Sequence, residues 1–438
     1  MESGDENDRS YRPGWLRFAP FLGRPPALTR HQWRVLGLVS IVSLFEQYDV
    51  YLLSLNLKQI QADLGIAEGQ LGFLGGLVRS GALFALPLTL AADRIGRRRM
   101  LLFTILGYTL CTGATAVAPN ATSFIAFQFL SRVFAAAETV IAIVVIAEEF
   151  DAAYRGWGIG ALGALHACGA GLAGIMFGFV NVLPFGWRAL YAIGLAPLLF
   201  VAYFRRTLPE TSRFESLARD GGELRAAPPL APALDLVRRY PRRLGLLALA
   251  VVAIEIVMGP ATFFAPKFLQ DAHGWTPGNV AVLTFVGGFV AIIGNPVAGW
   301  LSDRRGRRPV TVLFTALVLL AILCFYLIAA GFSFVFWIPL IFGLMGTQVT
   351  LGAYGAEMFP TRVRSTASGV REFCKTGGAV GGLALVSLLY AFAGSNWTAI
   401  ALLCGVGALA PLIVLLAFPE TAGRPLEEIA PEGREPVG

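Results

Sequence analysis

Long apolar segments recur along the whole chain and limit the folds that it can adopt more than any other feature. A segment of about 20 apolar residues spans roughly 30 Å of hydrocarbon as a helix, and in lipid only helices and closed barrels satisfy their own backbone polar groups. Apolar residues make up 56% of the 438 residues, too many for an ordinary soluble domain. Twelve segments qualify, at about 33–60, 70–92, 100–118, 122–147, 157–180, 187–204, 244–270, 278–301, 309–330, 333–357, 366–393 and 396–418.

Three pairs of short motifs indicate that the chain is two copies of one plan. Asp93 and Asp303 lie in nearly identical basic stretches 210 residues apart, and Glu148 and Glu357 lie 209 residues apart. A Pro-Glu-Thr triplet that starts at Pro209 recurs 210 residues later. Six segments fall in each copy, and an even number gives both copies the same orientation in a membrane. We therefore predict an all-α membrane protein of twelve transmembrane helices in two pseudo-symmetric six-helix halves.

The distribution of Lys and Arg predicts how the chain is oriented. One set of connections is strongly basic, whereas the connections on the opposite side contain no Lys or Arg. The basic side is cytoplasmic, which puts both termini inside the cell and the helices in the inner (plasma) membrane. The net charge of +7 follows from this asymmetry, so no nucleic-acid partner is needed. The predicted parts are a cytoplasmic tail (1–32), the first half (33–204), a cytoplasmic linker (205–243), the second half (244–418) and a cytoplasmic tail (419–438).

Several functional classes find no support in the sequence. No Walker-type Gly-x-x-x-x-Gly-Lys-Ser/Thr motif occurs, so any transport is driven by a gradient or by a partner chain. The five cysteines lie in apolar segments without metal-ligand spacing. We expect no enzyme activity, no cofactor and no metal ion. The linker is expected to carry a short amphipathic helix near Leu234 to Arg239.

Nine charged side chains lie deep inside the predicted helices, where each costs roughly 3 kcal/mol unless it is paired or hydrated. Glu46 and Asp49 are three residues apart and therefore share one helix face. A structural ion pair with Arg79 or Arg132 is one explanation of this acidic stripe. The other explanation is a water-filled cavity between the halves, which accounts for all nine charged side chains at the lowest energetic cost. The nine are Glu46, Asp49, Glu138, Glu255, Glu372, Arg79, Arg132, Arg371 and Lys375.

The paired motifs resemble those of a known family. The Asp-Arg-x-Gly-Arg-Arg stretches at Asp93 and Asp303 resemble the signature of the major facilitator superfamily. Gly299 completes the signature in the second copy, whereas Thr89 stands in place of its glycine in the first. The Pro-Glu-Thr motifs and the run Ala356–Arg364 look like the branch that holds sugar porters, organic-ion transporters and metabolite:proton symporters.

The first predicted helix indicates which members of this branch the chain resembles. Its Phe-Glu-Gln-Tyr-Asp run, ending at Asp49, is similar to aromatic-acid and metabolite:proton symporters, which also place an Arg in the fourth helix, here Arg132. Sugar porters carry a Gln-Gln pair in the seventh helix, where this chain has Glu255 instead. The resemblance implies secondary active transport by alternating access, working as a monomer. We expect proton-coupled symport of a small organic acid or similar charged metabolite; proton-coupled export of drugs or metabolites and a non-transporting sensor are the alternatives.

Physical chemistry suggests roles for the buried charges. A substrate carboxylate in a low-dielectric cavity needs a cation, and an Arg side chain can bind it through two hydrogen bonds. Because desolvation disfavours charge, a buried acid can take up and release a proton. We expect Asp49 to be the leading proton carrier, with Glu46 and Glu138 as alternatives. The expected substrate-binding residues, with Arg132 as the leading anion anchor, are Arg132, Arg79, Glu255, Gln348, Arg371 and Lys375.

The resemblance also implies a gate at the paired basic stretches. Cytoplasmic salt bridges there hold the outward-facing state and break as the halves rock. The alternative is that these residues merely anchor the chain by the positive-inside rule, which explains the arginines but not the placed acids. The expected gating residues are Asp93, Arg97, Glu148, Arg155, Asp303, Arg307, Glu357 and Arg364.

Overall fold

The computed structural model describes residues 11–22, 24–151, 153–196, 231–328 and 332–429, which form helices joined by short connections. The first half of the sequence contributes α1 (Arg30–Leu55), α2 (Leu57–Leu64), α3 (Leu71–Ser80), α4 (Leu86–Ile95), α5 (Arg97–Ala116), α6 (Ala121–Glu149), α7 (Arg155–Phe177) and α8 (Trp187–Ile193). The remainder contributes α9 (Ala231–Arg239), α10 (Pro241–Ala272), α11 (Pro277–Arg305), α12 (Arg307–Leu327), α13 (Trp337–Glu357), α14 (Thr361–Ala393), α15 (Asn396–Gly407), α16 (Leu409–Ala417) and α17 (Leu426–Ile429).

The helices match the predicted all-α membrane fold. In the described part of the chain, ten helical stretches are long and apolar enough to cross a membrane. The third predicted segment is α5, which has 20 residues, but its three arginines and four threonines make it less apolar than those ten. The sixth predicted segment starts with α8, and its part beyond residue 196 lies outside the described residues. The predicted amphipathic helix near Leu234 is confirmed as α9.

Three of the predicted helices are interrupted, the last of them at Ala408 between α15 and α16. In the first, α1 ends at Leu55 and α2 begins at Leu57, so Asn56 lies at a break. In the second, a 3₁₀ turn (Gly81–Phe84) separates α3 from α4. Pro87 then lies in the first turn of α4, where a missing backbone N–H leaves no helical hydrogen bond unmade. The breaks at Asn56 and at the 3₁₀ turn mark the two ends of a short segment. The hydropathy pattern had assigned parts of this segment to the first and second predicted helices.

The chain forms two compact units whose boundaries do not follow the sequence repeat. The first unit contains residues 1–55 and 84–225, and the second contains residues 56–83 and 226–438. The segment 56–83, which holds α2 and α3, therefore belongs to the first copy in sequence but packs within the second unit. Its two ends coincide with the helix breaks at Asn56 and at the 3₁₀ turn.

Aromatic and small residues bring the helices of each unit together. In the first unit, Trp33 of α1 makes edge contacts with Trp15 and with Trp157 of α7, with ring centroids 5.7 and 5.8 Å apart. In the second unit, α3 approaches α14 so closely at Gly72 that a Cβ atom there would lie 2.2 Å from the carbonyl oxygen of Leu383. Only glycine permits this approach, which brings the two backbones into contact.

Candidate functional site

Three carboxyl groups lie in the core of the first unit. Glu46 and Asp49 on α1 are each 6% exposed, and Glu138 on α6 is fully buried. Each accepts a hydrogen bond from a hydroxyl group on α6 or α1. The donors are Thr139 to Glu46, Ser131 to Asp49 and Ser43 to Glu138, each at 3.2 Å. One carboxyl oxygen of Glu138 accepts no hydrogen bond within the described residues. The hydrogen-bonding capacity of these acids is therefore only partly used.

Two basic side chains lie beside these acids. Nδ1 of His166 on α7 is 2.9 Å from the carbonyl oxygen of Ser43 and 3.2 Å from Glu46 Oε2. Because a carbonyl oxygen can only accept, Nδ1 carries the hydrogen and Nε2 is the nitrogen that gains or loses a proton. Arg132 on α6 donates to the carbonyl oxygen of Val50 at 3.5 Å, and its charge acts on both Glu46 and Asp49. In the described part of the chain, neither acid forms a direct ion pair with Lys or Arg.

A different group of charges lies in the core of the second unit. Glu255 on α10 is 6% exposed and accepts a hydrogen bond from the side-chain amide of Gln348 on α13. The charges of Lys375 on α14 and Arg79 on α3 both act on Glu255. Arg79 also lies over the ring of Phe263, 5.7 Å from its centroid, so the segment 56–83 contributes a cation to this group.

The predicted bases of α14 lie close to one acid. Arg371 hydrogen-bonds Glu372, and the Nζ atom of Lys375 is 3.7 Å from the same carboxylate. Arg371 is more buried than Glu372, whose side chain is 52% exposed, and its guanidinium lies against Gly352 of α13. Together with Arg79, Glu255 and Gln348, these residues form a group in which cations outnumber acids.

The second copy of the gating motif forms a network centred on Arg307, the first residue of α12. Its guanidinium is 2.6 Å from Asp303 and makes hydrogen bonds of 2.9 and 3.2 Å to Glu357 at the end of α13. The Thr421 hydroxyl donates to the other oxygen of Glu357. A planar guanidinium bonded at two nitrogens is the strong form of an ion pair, so this network joins α11, α12 and α13.

Glu420 completes the network, a role that the sequence analysis missed. Its carboxylate accepts the backbone N–H groups of Arg307 and Arg308 at 2.7 and 3.1 Å, at the positive end of α12. Partial burial opposes ionisation, but hydrogen bonds from the backbone of Ala422, Arg307 and Arg308 hold the pKa of Glu420 below its ordinary value. The Pro-Glu-Thr repeat marked this residue, but nothing in the spacing tied it to the start of α12.

The first copy of the gating motif has the same backbone shape with fewer described contacts. Gly96 and Gly306 occupy equivalent places with φ of 110° and 100°, a conformation that favours glycine. Arg97 lies 3.3 Å from Glu148, at the place that the Arg307–Glu357 pair occupies in the second copy. The side chain of Asp93 lies outside the described part of the chain.

Two predicted gating arginines lie apart from the salt bridges described above. Arg155 begins α7 and Arg364 lies in the first turn of α14, yet within the described residues neither forms an ion pair, and the Nε atom of each is buried without a hydrogen bond. Glu149, the residue after Glu148, makes a contact that was not predicted: its carboxylate lies 3.0 Å from Nε2 of His31 on α1. His31 precedes the predicted membrane segment, so hydropathy gave no signal for this contact.

Comparisons with known proteins agree with this architecture. A model of the Major Facilitator Superfamily matches residues 39–382. The chain is 26% identical to a probable 4-methylmuconolactone transporter of Cupriavidus pinatubonensis, over 88% of this chain and 90% of that protein. It is 27% identical to a gallate transporter of Pseudomonas putida, over 89% and 92% of the two chains. The crystal structure of a bacterial homolog of the human lysosomal transporter Spinster has a TM-score of 0.74 at 15% identity, over 89% of this chain and 97% of that one.

Proposed function

The chain belongs to the Major Facilitator Superfamily, and from that premise we propose that it moves a small organic acid across the membrane together with a proton. It is an integral membrane protein and a secondary transporter rather than an enzyme. The class of substrate, coupling to protons and the direction of transport are the parts that we propose.

The observation that carries proton coupling is the group of three buried carboxyls in the first unit. Arg132 can offset only one negative charge on Glu46, Asp49 and Glu138, and hydroxyl donors satisfy them only in part. Removing several like charges from water is costly, so a carboxyl that binds a proton relieves the excess. We propose Asp49 as the principal proton carrier, with Glu46 and Glu138 as its alternatives.

The cation-rich group in the second unit supports an anionic substrate. Arg371 and Lys375 lie beside Glu255 and Glu372, and the Nε atom of Arg371 is buried without a hydrogen bond within the described residues, so a substrate carboxylate would find a donor there. Two relatives are described as transporting 4-methylmuconolactone and gallate, both small and rich in oxygen. We therefore propose that Arg79, Arg371, Lys375 and Gln348 bind substrate, in addition to Arg132.

We propose further that transport follows alternating access, in which the two sequence halves (33–204 and 244–418) rock and the salt bridges at Arg97 and Arg307 break and re-form. The positive-inside distribution supports an inner-membrane protein with both termini, the 205–243 linker and these bridges on the cytoplasmic side. We take the monomer to be the working form.

Uptake into proteoliposomes tests the proposal. We expect an inward proton gradient to concentrate a member of a panel of aromatic and aliphatic carboxylates, including gallate, and to have no such effect on organic cations or neutral sugars. Accumulation driven by an outward proton gradient would instead indicate an exporting antiporter. If no carboxylate moves while a cation or a sugar does, the organic-acid assignment is wrong.

A further inference from the structure

Four charged side chains of alternating sign lie together in the second unit, away from both groups described above. Lys267 of α10 is only 3% exposed and lies 3.1 Å from Glu68 and in hydrogen-bond contact with Asp271. Asp271 is also 2.8 Å from Lys58 of α2. The order is therefore Lys58, Asp271, Lys267 and Glu68, with two cations matched by two acids.

Uncharged hydrogen bonds reinforce this cluster. The side-chain amide of Gln59 donates to that of Gln270 at 2.8 Å, and Lys58 donates to the backbone carbonyl of Gln270 at 3.2 Å. Asn396, at the start of α15, donates to Glu68 at 2.9 Å. The stretch 58–68 is thus tied through polar groups to the end of α10 and to the beginning of α15.

The cluster lies on the side of the membrane opposite the Arg307 network. α10 is continuous from Pro241 to Ala272. Near its start, Arg243 donates to the carbonyl oxygen of Met358, next to Glu357 of that network, at 3.0 Å. Lys267 lies 24 residues further along the same helix, about 36 Å away at a rise of about 1.5 Å per residue. In the proposed orientation, the four charges are at the outer ends of their helices.

The segment that these charges hold is bounded by breaks at both ends. Residues 56–83 lie between the interruption at Asn56 and the 3₁₀ turn Gly81–Phe84, and they pack in the second unit although they belong to the first sequence copy. An interface held by ion pairs can separate and be rehydrated, whereas an apolar interface would expose surface to water. Matched charges at the end of such a segment are therefore suited to a contact that opens and closes.

We propose that Lys58, Glu68, Lys267 and Asp271 form an outer latch, which holds the segment 56–83 on α10 and α15 and opens once in each transport cycle. The proposal rests on the alternating access proposed above, but it does not depend on which substrate is carried. These are positioning residues, because they act through the segment and touch no reacting group. The Arg307 network would close the opposite side of the same cycle.

A cysteine at Ser387 reports whether the latch is open. Ser387 on α14 is 9% exposed, and its hydroxyl accepts the backbone N–H of Phe73 at 3.0 Å, beside the close approach at Gly72. In a variant whose five native cysteines are replaced, Ser387→Cys becomes reachable by a membrane-impermeant thiol reagent when the segment 56–83 separates from α14. Labelling is measured in intact cells and in inverted vesicles, so that the accessible side is identified.

The decisive comparison uses one charge reversal and its compensation. Lys58→Glu places a carboxylate opposite Asp271 and should speed labelling from the outer side by roughly five- to thirtyfold. Reversing the other three charges as well (Asp271→Lys, Lys267→Glu and Glu68→Lys) restores the alternating order and should bring the rate back towards that of the parent. Arg242→Glu, an exposed charge reversal at the other end of α10, is the matched control and should leave the rate unchanged. If Lys58→Glu impairs expression, Lys58→Gln can be used in its place. It removes the charge without adding repulsion and should give a labelling rate between those of the parent and Lys58→Glu.

The result that would overturn the latch is an equal labelling rate in the parent, Lys58→Glu and Lys58→Gln. A faster rate that reversal of all four charges fails to lower would show a general loosening instead, and it would also reject the latch. Labelling requires no substrate, so the latch can stand even if every carboxylate fails in the uptake panel. Conversely, carboxylate uptake with unaltered labelling would leave the proposed function intact and remove the latch alone.

Discussion

The two buried charge groups differ in sign, and each lies in one of the two units rather than in one of the two sequence copies. The first unit places three acids around one arginine, whereas the second unit places three cations near two acids. The members are Glu46, Asp49, Glu138 and Arg132 in the first, and Arg79, Arg371, Lys375, Glu255 and Glu372 in the second. Arg79 comes from the first sequence copy but lies in the second unit, so the difference reflects where the segment 56–83 packs. An acid-rich core suits proton binding, and a cation-rich core suits an anionic substrate.

The largest expected effect is the loss of coupling when the acid-rich group is altered. Asp49→Asn resembles a permanently protonated acid, so it should still exchange substrate across the membrane and fail completely to concentrate it against a gradient. Counterflow and gradient-driven uptake in proteoliposomes separate these two activities. Asp63→Asn, at an exposed position of α2, is the control. If Asp49→Asn still concentrates substrate, the carrier is Glu46 or Glu138.

The next effect should appear in the affinity for the anion. Arg132→Lys keeps its charge but loses the planar fork, and Lys375→Gln loses its charge, so each should weaken substrate binding by about 1–3 kcal/mol. Scintillation-proximity binding at fixed pH measures the change. A loss only in Lys375→Gln would place the anion anchor in the cation-rich group, and a loss only in Arg132→Lys would place it among the acids. Unchanged affinity in both would remove the carboxylate assignment.

A third, smaller effect should appear when either gating copy is altered. Glu357 holds Arg307 through two nitrogens and accepts from Thr421, and Glu148 lies 3.3 Å from Arg97. Glu357→Gln and Glu148→Gln should each slow turnover by up to about tenfold, at matched expression. Asp303→Asn should also slow turnover. Equal turnover in all three variants and the parent would leave these residues as membrane anchors only.

The smallest effect concerns the cap of α12. Glu420→Gln weakens the hydrogen bonds to the backbone of Arg307 and Arg308 and should lower stability by about 1 kcal/mol at neutral pH. Because the pKa of Glu420 is lowered in the folded protein, its ionised form contributes stability above the unfolded pKa, and this contribution is lost as pH falls through the folded pKa. Thermal unfolding in detergent should therefore show a difference between parent and variant that shrinks in acid. A difference that is independent of pH would contradict this role.

Hydropathy and the internal repeat were sufficient to predict the membrane fold, because the bilayer sets helix length and the paired loops reveal duplication. They could not predict that the segment 56–83 packs in the second unit. Hydrophobic periodicity shows which residues are buried but not which helix buries them. The close approach of Gly72 to Leu383 depends on residues more than 300 positions apart in the sequence.

The sequence singled out the acids and arginines as candidate site residues, because a charged side chain inside an apolar segment is easy to recognise. Their neighbours were not predicted: the hydroxyls that bond the acids look like ordinary small residues of a membrane helix. The contact between His166 and Glu46, at 3.2 Å, was also not predicted. Lys58 and Lys267 were overlooked, because each lies near the end of a predicted membrane segment rather than deep inside it.

Proton movement driven by substrate alone tests the central claim most directly. Proteoliposomes are prepared with equal pH inside and outside, a carboxylate that the uptake panel identifies is added outside, and the internal pH is followed with a trapped dye. We predict that substrate entry acidifies the interior in the parent protein and leaves the pH unchanged in Asp49→Asn, which still exchanges labelled substrate. Entry of substrate into parent proteoliposomes without any change of internal pH would contradict proton-coupled symport.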